Sequence, residues 1–251
     1  MFDPRLIRAE VLKLRRRRGM LALVTAITLG VVALAFTVMT IQHADNPAKY
    51  GPAGGLGSYR DALEVLIVLT IVAGAIVGST AGAQDIESGV FRDLAATGRS
   101  RLALFGARVT GAWGIMIPVA AIAGAAAGIG AVALAGSAVA PTAGALVEGT
   151  AAVLAAGMVS SAVAVGLCAL VGTRGPVIAI MLAFSLALAP VLASMSFLGD
   201  VRQALPTVAL DHIAHTTSTL HTTLAVAIAV LAAWVAAAFA AGAWRTASRE
   251  I

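Results

Sequence analysis

Asp211, His212, His215 and His221 are the one group of residues in this sequence with metal-ligand character. His212 and His215, three positions apart, could share a helical face. A metal site needs three or four ligands held by further hydrogen bonds, so these are expected to be solvated or interfacial loop histidines, with no metal bound. Ser160 and Ser161 could serve as nucleophiles, but no His or Asp lies at their depth. Hydroxyls within helices usually bond back to their own backbone. No glycine-rich phosphate loop followed by Lys occurs. The chain is therefore expected to be no enzyme, to hydrolyse no ATP itself and to hold no cofactor.

One charged segment remains, Asp85–Arg108. Asp85, Glu87, Arg92 and Asp93 alternate there with Ser88, Gly89, Phe91 and Leu94. Apolar anchors rimmed by mixed charges suit docking rather than catalysis. An ordinary solvated helix with charges four residues apart is the competing reading.

The elements around this segment are apolar. The 251 residues are 60% hydrophobic and only 12% charged, with a mean hydropathy of +0.96. Globular chains carry roughly 25% charged residues. The apolar blocks are long enough to cross a bilayer, which takes roughly 20 helical residues. Six spans are expected: Met20–Ile41, Val65–Ala83, Val109–Ala135, Gly149–Gly172, Pro176–Gly199 and Leu224–Trp244. None contains Asp, Glu, Lys or Arg, each of which would cost about 2.5–3.5 kcal/mol at mid-membrane. Proton-coupled transport thus lacks its usual buried carboxylate. The first apolar run is also longer than the core of a secretory signal, so it is expected to remain as span one.

Of the 17 Lys and Arg residues, 14 fall on one side of this topology, and Lys49, Arg60 and Arg202 on the other. The positive-inside rule places both termini in the cytoplasm, in the inner or plasma membrane. The pI near 10.3 is accounted for by that bias. The basic residues are not gathered with aromatics on one face, and no nucleic-acid partner is expected. The lone Cys168 lies in an apolar run and offers no disulfide.

Within the spans, Gly74, Gly78 and Gly82 repeat every fourth residue, as do Gly124 and Gly128. Small residues at this spacing let helix backbones approach closely; packing inside one subunit, a dimer seam and a conduit wall are the readings of span two's stripe. Pro118 and Pro190 are expected to kink their helices. Before span one, residues 1–19 carry Ile7, Val11 and Leu14 as an apolar stripe among Arg5, Arg8 and Arg15, which predicts an amphipathic helix lying in the headgroup layer. Residues 200–221 mix Val201, Leu205, Val208, Leu210 and Ile213 with polar residues, and predict short helices dipping into the outer leaflet.

These residues carry a resemblance. The chain is similar to ABC-2 type permeases, the membrane subunits of bacterial ATP-binding cassette exporters. Glu10, Lys13, Leu14 and Arg15 match the basic amphipathic segment that precedes span one in that family. Glu87-Ser88-Gly89, Leu94, Thr97, Ser100, Arg101 and Arg108 match its pattern between spans two and three, with Val90 where Thr is usual and Gly98 where Pro is usual. The resemblance implies an all-α, type V exporter-like architecture. It makes residues 85–96 a coupling helix seated in a cleft of a separate ATPase. Phe91 and Leu94 would be its anchors and Glu87, Arg92 and Asp93 its polar rim, with Asp85, Ser88 and Gly89 also among the residues that couple it to the ATPase. Two ATPase copies, with their ATP and Mg, and a second permease subunit, identical or different, would complete the complex. The apolar lining of spans two and five argues for an apolar or amphipathic cargo such as a drug, peptide antibiotic or lipid-like molecule. A self-contained secondary transporter and a non-transporting scaffold or immunity protein are the alternatives.

Overall fold

The computed structural model describes residues 4–90, 100–216 and 223–248, and every regular element among them is helical. An N-terminal helix, Pro4–Arg15, precedes six helices long and apolar enough to cross a membrane. These are Arg18–Asp45, Leu56–Glu87, Arg101–Ala133, Ala143–Val171, Arg174–Ser194 and Leu224–Ser248. Each takes in the apolar stretch expected for it, except that span three ends at Ala133, span four at Val171 and span five at Ser194. The helices also run past the apolar stretches into charged sequence. Span two is the extreme case. Its 32 residues rise about 48 Å, well beyond a hydrocarbon core of about 30 Å, and so include Arg60, Asp61 and Glu64 at one end and Asp85 and Glu87 at the other.

Spans two and four form the centre. In their most apolar windows 67% and 61% of residues are buried, against 17% in span five and 11% in span six. Lipid offers no hydrophobic drive for two helices to meet, so close packing must supply it. The glycine stripe of span two does this within the subunit. A methyl group on Gly74 would strike Ser160, on Gly78 the backbone of Ser161, and on Gly82 the Cβ of Cys168 at 2.7 Å. Gly124 and Gly128 of span three lie in the same way against Thr150 and Leu146 of span four. Span six closes on the other side of span four, with Gly166 facing the carbonyl of Ala238.

At one end, spans two and three are stapled by backbone bonds. The N–H groups of Gly54, Gly55 and Leu56 donate to Leu134, Ala131 and Val139 at 2.7–2.8 Å. Gly55 holds φ 95° there, a conformation that suits glycine. The loop that follows closes on Thr142, whose hydroxyl caps span four by accepting from the Ala145 N–H at 3.2 Å.

The prolines behave differently from one another. Pro118 sits inside the uninterrupted helix of span three. Pro190 follows a π-helical stretch, Phe184–Leu188, which widens the backbone where a proline would otherwise collide with the preceding turn. Beyond span five, a kinked 3-10 segment, Ser196–Ala204, leads into a short helix, Pro206–Ala214.

Candidate functional site

The charged residues that close span two do not form a solvated surface. Asp85 is 4% exposed and Arg108, seven residues into span three, is 2% exposed. The two spans run antiparallel, so residues 23 apart in sequence face each other. Arg108 donates from Nη2 to Asp85 Oδ2 at 3.3 Å and from Nη1 to the Gly82 carbonyl at 3.4 Å. Lys13 reaches in from the N-terminal helix. Its Nζ lies 3.0 Å from both Asp85 oxygens and 2.7 Å from Glu10 Oε1. Among the described residues, two carboxylates and two cations thus meet at the junction of three helices.

The N-terminal helix is positioned for this by its packing. Gly111 and Gly114 of span three leave room for the helix, with Glu10 Cβ and a Val11 methyl each 2.6 Å from where a Cβ would stand. Leu14 is fully buried among Phe105, Val109 and Ala112. The expected apolar stripe is therefore turned at Val11 and Leu14 onto protein, while Leu12 is exposed. Burial pushes the Glu10 carboxyl above its ordinary range, against the opposing pull of Lys13.

Glu87 makes a second tie. Its carboxylate accepts the backbone N–H of Arg174 at 2.8 Å, and Arg174 Nε lies 3.7 Å from the other oxygen. An acid at the first turn of span five is favoured by the helix dipole. Ser88 donates its hydroxyl to the Gln84 carbonyl at 2.9 Å, and Gly89, at φ 76°, ends the helix. Arg101 in turn donates to the Ala247 carbonyl at 3.3 Å, joining the start of span three to the end of span six. All these contacts lie at one end of the bundle, called here the basic end.

Two expectations need correction. Residues 85–96 are not one continuous helix: Asp85 and Glu87 belong to the last turn of span two, which ends at Glu87, and Gly89 turns the chain at φ 76°. Asp85, expected among the residues that couple to the ATPase, is instead buried in an ion cluster. Phe91, Arg92, Asp93 and Leu94 lie outside the described residues. In the sequence Glu10 and Lys13 belong to one motif and Arg108 to another, and nothing in either motif shows that Asp85 gathers all three. The available signal was that Asp85 closes one apolar block while Arg108 opens the next.

At the opposite end, His215 Nε2 lies 3.2 Å from Glu148 Oε2, with both side chains at least half exposed. The His212 and His215 rings are 6.2 Å apart, and the described residues contain no group of three or more His, Cys, Asp or Glu that could hold a metal. Asp211 accepts a 3.4 Å hydrogen bond from Thr216. Burial, helped by the nearby Glu64 carboxylate, raises its pKa to about 6 against the opposing Thr216 bond.

A family model described as ABC-2 family transporter protein matches residues 6–190. No curated protein matches the chain.

Proposed function

The chain belongs to the ABC-2 transporter family, and from that premise we propose that it is the permease of an ATP-binding cassette exporter, driven by a separate ATPase at the basic end. The matched residues include every member of the Glu10–Lys13–Asp85–Arg108 cluster. The family is one of multi-pass membrane transport components, not catalysts, and implies association with an ABC ATP-binding subunit.

The observation that carries the proposal is that cluster. The segment following Gly89 leaves from a point tied to the N-terminal helix and span three through Asp85, and to span five through Glu87. A push on that segment by a moving ATPase would be passed to four helices at once. Residues 90–96 would supply the docking surface, with Phe91 and Leu94 as anchors. The positive-inside bias puts this end, and both termini, in the cytoplasm. The basic N-terminal helix would also meet headgroups along its exposed face.

Two ATPases and two permeases, identical or not, would alternate a cavity between inward and outward access. The uncharged lining of spans two and five suits an apolar or amphipathic cargo leaving the cell. The test is transport in inverted membrane vesicles carrying the chain and a co-expressed ABC ATPase that binds it. Mg-ATP-dependent uptake of amphipathic dyes is expected. It should be lost in the Glu87→Arg, Phe91→Ala double variant while membrane insertion persists. Unchanged uptake by that variant would overturn the docking assignment.

A further inference from the structure

Spans two, four, five and six leave between them an apolar cavity of about 220 Å³, bordered at the end opposite the basic one by the helix Pro206–Ala214. Span five contributes Met181, Phe184 and Ser185, span six Trp234, span four Val163, and the short helix Thr207. No charged side chain lines it.

Two features separate this space from a packing defect. First, the π-helical stretch of span five begins at Phe184, so the backbone is widened along the wall itself. Such π turns are frequent at functional sites. Second, the aromatic wall is held in place before any ligand arrives. Trp234 donates its indole N–H to the Ala204 carbonyl at 2.9 Å, and its ring stands 5.6 Å from Phe184 at a 47° tilt. Ser160, which also lines the cavity, turns its hydroxyl to the Ala156 carbonyl of its own helix at 2.6 Å.

The chemistry of an occupant follows. A charge would be stripped of water here with nothing to pair it. A flat ring would meet Phe184 and Trp234 at the offset angles that aromatic pairs prefer. Apolar cavities of about 150 Å³ accept benzene, so this larger one takes a somewhat larger ring system. Ile180, 49% exposed at its border, marks the flank of span five as the way in.

We propose that this cavity binds an uncharged aromatic moiety of one or two rings, carried by the amphipathic molecule that the permease moves. The assignment of that moiety to a cargo rests on the exporter reading; its binding does not.

The experiment therefore uses the purified chain in lipid nanodiscs, without ATPase or ATP. The probe is a trifluoromethyl phenyl diazirine, with adducts located by mass spectrometry. Adducts on Met181, Phe184 and Trp234 should be displaced by excess naphthalene at least about tenfold, the loss expected of a saturable site. Adducts on the exposed residues Leu186 and Val191 should not change. Ser185→Phe, or Val163→Phe should the first variant fail to fold, should remove the displaceable adducts and leave the others. Cavity adducts that naphthalene does not displace, or that persist in the folded filled variant, would overturn the proposal. Displaceable labelling in a chain that never drives ATP-dependent uptake would refute the exporter reading alone. The converse result would refute only the cavity.

Discussion

The two ends of this bundle handle charge in opposite ways. At the basic end, Asp85 and Arg108 are withdrawn almost completely from solvent and paired, with Glu10 and Lys13, in an ion cluster. At the other end, Glu148 and His215 pair while half exposed, and Asp211 sits partly buried beside another acid. An exposed pair is screened and contributes little. A buried cluster resists the removal of any member, because the charge left behind has no water to receive it. One end thus holds its charges in a buried joint, and the other leaves them at a solvated surface.

The largest expected difference comes from deleting a partner at each end. Asp85→Ala should cost about 3–5 kcal/mol by removing the carboxylate that Arg108 and Lys13 share, read as a lower melting temperature of the solubilised protein. Glu148→Gln should stay within about 0.5 kcal/mol of the parent. Similar losses at both ends would erase the contrast. The core joining the ends is next: Gly78→Leu should cost about 1–3 kcal/mol or prevent assembly, by forcing span two from span four.

A smaller effect concerns pH. Because the Asp211 pKa is raised to about 6 from an ordinary 3.8, folding favours its protonated form. Its contribution is fully present below about pH 4 and is lost as pH rises through 6. The parent should therefore gain thermal stability relative to Asp211→Asn as pH falls from 7.5 to 5. Parallel pH profiles would contradict this. The smallest effect is at the midpoint. Thr70 Oγ1 is buried without a hydrogen-bond partner, so Thr70→Val should be neutral or stabilising by up to about 1 kcal/mol in the same melting assay.

Much of this was legible in the sequence, and the reasons are physical. Uninterrupted apolar blocks between charges locate six spans, since lipid excludes charge. The four-residue spacing of Gly74, Gly78 and Gly82 marks a close helix approach. The helix ends were less legible. Hydropathy marks where lipid is, whereas the hydrogen bonding of span two continues into the charged sequence at Arg60 and Asp85. The ion cluster was hidden for a different reason: Lys13 and Asp85 are 72 residues apart, and only the packing of the N-terminal helix on Gly111 and Gly114 joins them. For the same reason the stripe of that helix, which suits a lipid headgroup layer on sequence grounds, turns Val11 and Leu14 onto span three.

On the proposed function, a separate ATPase engages the basic end. The direct measurement is the amount of ATPase that co-purifies with the intact chain when the two are expressed together. The parent and a Glu148→Gln, His215→Ala variant should retain it equally, and the Glu87→Arg, Phe91→Ala variant should lose it while remaining folded and inserted. Equal retention by all three, or loss only in the variant at the opposite end, would rule out an ATPase seat at the basic end.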